Sequence, residues 1–403
     1  MGAALVWNNN RLRVLIAVLL AASPAICFAA SSDLLPHLLL TPQRLRRLQR
    51  DRERETIRWM NFETRIQSTH DSSERGFELG LYYAVTHDEK RGREAVQWAL
   101  QNRCSRRQVA LIIDWAGSLA SREEIGQLGN ANCPPYPASQ PEGLRDTFFM
   151  GVALNRITAL DDSAKTIFLK WIESGGFQNA NQLYAACEFL DGVRATLHAE
   201  LRHDARQFFS DLPEEFLLGL KPEAVEHPDW MTHIAALALV SLDPNLPGSQ
   251  YLQGWAIEDR QTIREGPGVA YELLWGDPYL PGVGYQNLDP WVYDEAGRLF
   301  ARTDWKPTAC WIAITRSGLD QENCPAGWRQ NPATFGHMTL IPLTQPCTIV
   351  PPRNNNEAAI MWNVHPHQSI SYLDKKRKEA AEADAAGMWR LPGNVEGKVC
   401  ATQ

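Results

Sequence analysis

The sequence predicts a mainly α-helical chain, an incomplete (α/α) toroid of helical hairpins followed by a small antiparallel β-domain. Three observations lead there. Apolar residues recur at helical spacing from Thr41 to about Ile257. Within that span, segments of one layout return at intervals of roughly 75–80 residues, as stacked supersecondary units do. Beyond it, short β-rich runs bounded by Gly, Pro or Asn take over.

The elements follow in order. "TPQRLRRLQRDRERETIRW" (41–59) opens on a Thr cap with Pro at the first helical position, and its Arg and Glu residues can pair at i,i+4. The segments of shared layout are "LYYAVTHDEKRGREAVQWAL" (81–100), "VALNRITALDDSAKTIFLKWI" (152–172) and "AALALVSLDPNLPGSQYLQGWA" (235–256). Each is an apolar helix, an Asp-containing turn and a second helix carrying a Trp. "QVALIIDWAGSLASREEIGQL" and "LYAACEFLDGVRATLHAELRHDA" read as further pairs. First arms that are apolar all round suit an inner layer, and amphipathic second arms an outer one. Five or six hairpins make an incomplete or closed toroid; an open solenoid is the alternative. This helical domain is assigned to residues 31–262.

"GPGVAYELLWGDPYLPGVGYQNLDPW" (266–291) combines five Gly, four Pro, three Tyr and two Trp, a mix unlike a regular helix or strand. It predicts a rigid aromatic connection over 263–296, with Pro lowering the entropy cost of ordering it. "GRLFARTDW", "ACWIAITRSG", "TFGHMTLIPL" and "CTIVPP" predict strands between 297 and 372. "LDKKRKEAAEADAAGMW" (373–389) is Ala-rich and charged and predicts a surface helix, followed by a loose tail to 403.

Residues 1–30 pair a basic "RLR" with the apolar "VLIAVLLAASPAICF" and small residues at 29 and 30. This is the pattern of a cleaved secretory signal, which implies a periplasmic or extracellular protein with no stable membrane insertion. That compartment permits disulfides. Cys104 with Cys133, and Cys310 with Cys324 or Cys347, are the candidate pairs, and the odd count of seven after cleavage leaves one thiol free. A net charge of −7 argues against non-specific nucleic-acid binding but leaves room for a local basic pocket that takes a polyanion. Phosphate-loop, GxSxG and HExxH motifs are absent, and no cofactor or metal is expected. His365 and His367 form an HxH pair without an evident third ligand.

Several stretches carry a resemblance. They are "LLLTPQRLRRLQR", "YYAVTHDEKRGREAVQWAL", "GGFQNANQLY" (175–184), and "GRLFARTDWKPTACWIAITRSG" followed by "GHMTL". Together the chain resembles the heparinase II/III-like and alginate-lyase-like polysaccharide lyases, which join an (α/α) toroid to a C-terminal β-sandwich. It departs from them in having a short β-region and no Asp after "GHMTL". The resemblance implies β-elimination on an acidic, uronate-containing polysaccharide. That reaction needs a group to neutralise the carboxylate, a base for the C5 proton and an acid for the leaving oxygen. It points to Tyr184 as acid/base, to Asn155 or Arg156 as neutralising groups and to His337 in the sandwich. His233, in the first turn of an apolar helix, could face the same cleft. Asn179, Trp275, Tyr279, Tyr285 and Trp291 could contact sugar, the aromatics by stacking; their other role is to clasp the β-domain onto the helices. Two further readings stay open. One is a glycoside hydrolase using paired carboxylates, for which Asp114, Asp229 and Asp304, each before a Trp, are candidates. The other is a catalytically inactive carbohydrate-binding or scaffold protein.

Overall fold

The computed structural model describes residues 38–326 except 69–71, 131–132, 134–136, 138–139, 158, 174–178, 294–298 and 316–317. Beyond 326 it describes the backbone of six strands. The expected signal segment, His337, and the His365 and His367 pair lie outside the described residues.

The described residues hold fourteen α-helices. In chain order they are α1 (Pro42–Glu53), α2 (Ile57–Gln67), α3 (Arg75–Thr86), α4 (Glu89–Gln101), α5 (Arg106–Ala116), α6 (Arg122–Gly129), α7 (Pro141–Ala153), α8 (Asp162–Glu173), α9 (Ala180–Leu197), α10 (Arg206–Gly219), α11 (Pro222–Glu226), α12 (Trp230–Leu242), α13 (Pro247–Ala256) and α14 (Gly268–Trp275). Local chemistry sets their ends. The Thr41 hydroxyl accepts from the Arg44 N–H at 3.2 Å, with Pro42 at the first helical position. Asp88 caps α4, and Ser121 and Glu124 form a reciprocal capping box on α6.

The helices sort into two kinds. Nine residues of α5 and ten of α12 are buried, as are all eight of α14. By contrast α4 and α8 each bury one stripe and α6 buries Leu128 alone. The buried helices pack in succession: α3 on α5, α5 on α7, α7 on α9, α9 on α12, α12 on α14, α14 on α2, and α2 on α3. Phe77, Phe148, Phe189, Leu237 and Leu273, from five of these helices, belong to one apolar cluster.

Helix α14 corrects the expectation of an irregular connection over 263–296. Its sequence, GVAYELLW, is apolar on nearly every face, so it carries no periodic signal, and the flanking Gly and Pro act as its ends. Burial between α12 and α2, not local propensity, makes it helical. After it, the chain returns to α13. The Val283 N–H donates to Gln250 O at 2.9 Å, and a Cβ added to Gly254 would meet the Val283 carbonyl, so this approach requires glycine.

Strands β1 (Trp291–Tyr293), β2 (Leu299–Arg302), β3 (Trp311–Thr315) and β4 (Gly318–Glu322) form an antiparallel sheet in that order. It is fastened to α10. The Trp311 indole donates to Leu218 O at 2.8 Å and the Arg302 guanidinium to Leu220 O at 2.5 Å, satisfying carbonyls at the helix's C-terminal end. Cys310 and Cys324 bridge within this sheet, and Cys104 and Cys133 bridge the loop before α5 to the one after α6.

A second sheet has the order β10-β9-β8-β7-β6-β5 and contains one parallel pair, β6 (Met338–Leu343) with β7 (Ala358–Asn363). It therefore departs from the purely antiparallel expectation. The helix expected over 373–389 is also corrected: β8 (Ile370–Asp374), β9 (Glu379–Asp384) and β10 (Gly387–Leu391) pair antiparallel there. Pairing with neighbouring strands overrides the helical preference of Ala and Glu.

Candidate functional site: an arginine-rich cleft over a buried ion-pair network

Two polar assemblies meet at Trp275. The first is buried. Glu188 on α9 is fully enclosed, and its carboxylate accepts from Arg107 Nε at 2.7 Å and Nη2 at 2.5 Å, from Arg145 Nη1 at 3.0 Å and from the Tyr184 hydroxyl at 2.5 Å. Arg107 also donates to the Tyr271 hydroxyl at 2.9 Å, and Tyr271 donates to Glu74. Arg145 is anchored on Asp146 at 2.8 Å. Burial pushes the Glu188 carboxyl up, but Arg107 and Arg145 outweigh it and hold the group below the usual carboxylate range. Burial, reinforced by Glu188, drives the Tyr184 phenol well above its ordinary value.

Tyr184 thus has no idle hydrogen-bonding capacity. It donates to Glu188 and accepts from Arg107 at 3.2 Å and from the Trp275 indole at 3.0 Å. Its ring stands edge-on to those of Tyr271 and Trp275. Spacing explains the cluster: Tyr184 and Glu188 are one turn apart on α9 and face the same neighbour, Arg107 on α5.

The second assembly opens to solvent. A cleft of about 960 Å³ is lined by Arg44, Arg46, Arg47, Arg50, Arg54 and Arg194, with Asp51, Asp191 and Asp277 as its carboxylates. Arg44 donates to Asp191 at 2.7 Å, lies 4.4 Å from the centre of the Trp275 ring and also donates to Leu39 O. Arg194 donates to Asp191 at 2.8 Å and to Leu242 O at 2.9 Å. Arg47 reaches Leu274 O at 2.5 Å and pairs with Asp277 at 3.2 Å. These guanidiniums satisfy carbonyls at the C-terminal ends of α12 and α14, where the helix dipole favours a cation. Burial of Asp191 opposes its ionisation, yet Arg44 and Arg194 hold its carboxyl below the ordinary range. Arg47 is lowered to about 10 by burial and by the adjacent Arg44. Tyr279, 72 % exposed, stands among the lining residues.

No protein-family model matches this chain, and no curated protein matches it.

The residues singled out from sequence are dispersed. Tyr184 and Trp275 touch each other, but both are buried. Asn155 (φ 53°) and Arg156 sit on the exposed turn after α7; Arg156 lines a separate pocket of about 310 Å³ with Arg103 and Arg106. Asn179 caps α9, accepting from the Gln182 N–H at 3.0 Å. His233 is buried on α12 and contacts Glu272 at 2.7 Å. Tyr285 is buried edge-on against Trp305, its hydroxyl accepting from Arg260 at 3.0 Å, so it serves the clasp. Trp291 lies in β1, and of these four aromatics Tyr279 alone stands on the cleft exposed.

The acids preceding Trp hold backbone. Asp114 accepts from the Leu38 N–H at 2.9 Å, Asp229 caps α12 and Asp304 accepts from the Lys306 N–H at 2.8 Å. Reading α1's arginines as i,i+4 partners of its own acids missed the cleft. The absence of any acid in its first turn was the available signal.

Proposed function

We propose that this protein binds an acidic glycan in the arginine cleft, on an α/α toroid scaffold, without cleaving it. The cleft carries the reading: six arginines meet three aspartates there, on a chain of net charge −7. Guanidinium offers a planar fork matched to a carboxylate, and the exposed Tyr279 offers a ring face for a sugar. The cyclic succession of buried helices, with α14 packed on α2 and α2 on α3, supports the toroid.

Elimination by a polysaccharide lyase is the second reading, carried by the sequence resemblance, with Tyr184 and His337 in the catalytic roles. It requires Tyr184 to pass its proton to and from substrate. The Glu188 contact and full burial favour the neutral phenol, which supports a positioning role instead. Secretion through the N-terminal segment accords with either reading, because an acidic polysaccharide is an extracytoplasmic ligand.

Titration of the protein with uronate polysaccharides separates the readings. Binding without unsaturated uronide absorbance and without new reducing ends is the expected result. Ultraviolet absorbance that grows with time and vanishes in Tyr184→Phe would instead establish elimination. New reducing ends alone would establish hydrolysis.

A further inference from the structure

The cleft's arginines fall into two sets. Arg44, Arg47 and Arg194 are committed to Asp191, Asp277 and helix carbonyls. Arg46, Arg50 and Arg54 are exposed and have no ion-pair partner among the described residues. These three sit at i, i+4 and i+8, Arg46 and Arg50 on α1 and Arg54 as its C-cap residue, so they rise along one side of the helix in steps of about 6 Å and span about 12 Å.

The start of α1 is electrostatically unfavourable. Helix α1 carries Arg44 in its first turn and no acid to offset its positive end. Arg47 is crowded by Arg44, and its Nε is buried without a hydrogen-bond partner. Arg50 and Arg54, at the C-terminal end of α1, sit where the helix dipole favours cations, so with Arg46 they stand exposed along the cleft to meet an anion. A line of anions laid along α1 meets one of these exposed guanidiniums at each step.

We infer that Arg46, Arg50 and Arg54 form a ladder reading consecutive carboxylates of a linear polyuronate, one guanidinium per sugar ring, so that the cleft requires a run of about three uronates. This rests on the acidic-glycan reading. It adds a length and charge-spacing requirement, and it casts Arg44, Arg47 and Arg194 as braces that hold the floor.

Isothermal titration of the full chain tests it with galacturonate, trigalacturonate, polygalacturonate and the uncharged maltotriose. The trimer is expected to bind at least about tenfold more tightly than the monomer, because its second and third contacts are intramolecular. Arg46→Gln, Arg50→Gln and Arg54→Gln should each weaken the trimer about three- to fivefold, the range of an exposed ion pair. These side chains are exposed, so circular dichroism should match the parent protein. A monomer as tight as the trimer overturns the ladder and leaves the acidic-glycan reading standing. So does a triple variant (R46Q/R50Q/R54Q) that binds the trimer normally. Failure of every uronide to bind, or maltotriose binding equal to the trimer's, overturns both.

Discussion

Glu188→Gln isolates the network at the centre of the helical array. The substitution keeps the shape of the side chain but removes the charge that Arg107 and Arg145 share. It also turns an acceptor into an NH₂ donor facing guanidinium donors or the Tyr184 hydroxyl. Removing one partner of a buried pair costs about 3–5 kcal/mol, because the other charge stays behind. Glu74 at 3.5 Å from Arg107 and Asp146 at 2.8 Å from Arg145 still neutralise part of it, placing the loss at the lower end. Urea unfolding followed by tryptophan fluorescence should therefore show a destabilisation of about 3 kcal/mol. The acid limb should change too. The folded-state pKa of Glu188 is depressed, so its stabilisation is complete above the unfolded carboxylate value and is lost as pH falls through the folded one. In the Gln variant that part of the pH dependence should disappear. A loss below about 1 kcal/mol, with an unchanged acid limb, would refute the claim that Glu188 is the counter-charge for both arginines.

Other outcomes follow from single contacts. Tyr184→Phe strands the Trp275 indole N–H and should cost about 1–2 kcal/mol in urea unfolding while glycan titration stays as in the parent. Gly254→Ala drives a methyl into the Val283 carbonyl and should lower stability by about 1–3 kcal/mol, measurable as a fall in Tm. Replacing Cys104 and Cys133 by Ser opens a link of sequence separation 29 and should cost roughly 3–4 kcal/mol by chain entropy, read from the denaturant midpoint. Cys187 is buried and its thiol is pushed up by burial, so mass spectrometry should find it unalkylated in native protein and alkylated in urea.

The hairpins at 81–100, 108–128 and 235–256 were legible because each follows a local rule: a buried arm, a turn and a second arm. By contrast 183–205, read as a pair, is the single helix α9 followed by a 3-10 turn, and α7 ends at Ala153, near the start of the arm expected in 152–172. Thr41 caps α1 as the sequence predicts, and Asp88, in one of the expected Asp-containing turns, caps α4. The bridge between Cys104 and Cys133 forms as expected, and Cys310 takes Cys324 from its two candidates. Helix α14 was hidden because a segment buried on all sides shows no period, and Gly and Pro at its ends imitate a loop. The site was hidden for a different reason. Arg107 meets Glu188 across 81 residues and Arg47 meets Leu274 across 227, and no local pattern records such partners. What the sequence did offer was charge in unexpected company: Glu188 inside "LYAACEFLDGV", and arginines crowding a helix start that lacks acids.

The contacts from α1 and α2 to the end of α14 impose an order on synthesis. Arg47 and Arg58 emerge early, whereas their acceptors, Leu274 O and Gly276 O, follow more than two hundred residues later. At about 5–20 residues per second, a nascent chain holds these cations without their carbonyls for roughly 10–40 s. A fragment ending before residue 273 never acquires them. Among the described helices, the last to be made therefore supplies acceptors to arginines of the first two, and chains arrested short of it should be open, basic at this end and prone to capture by anionic surfaces.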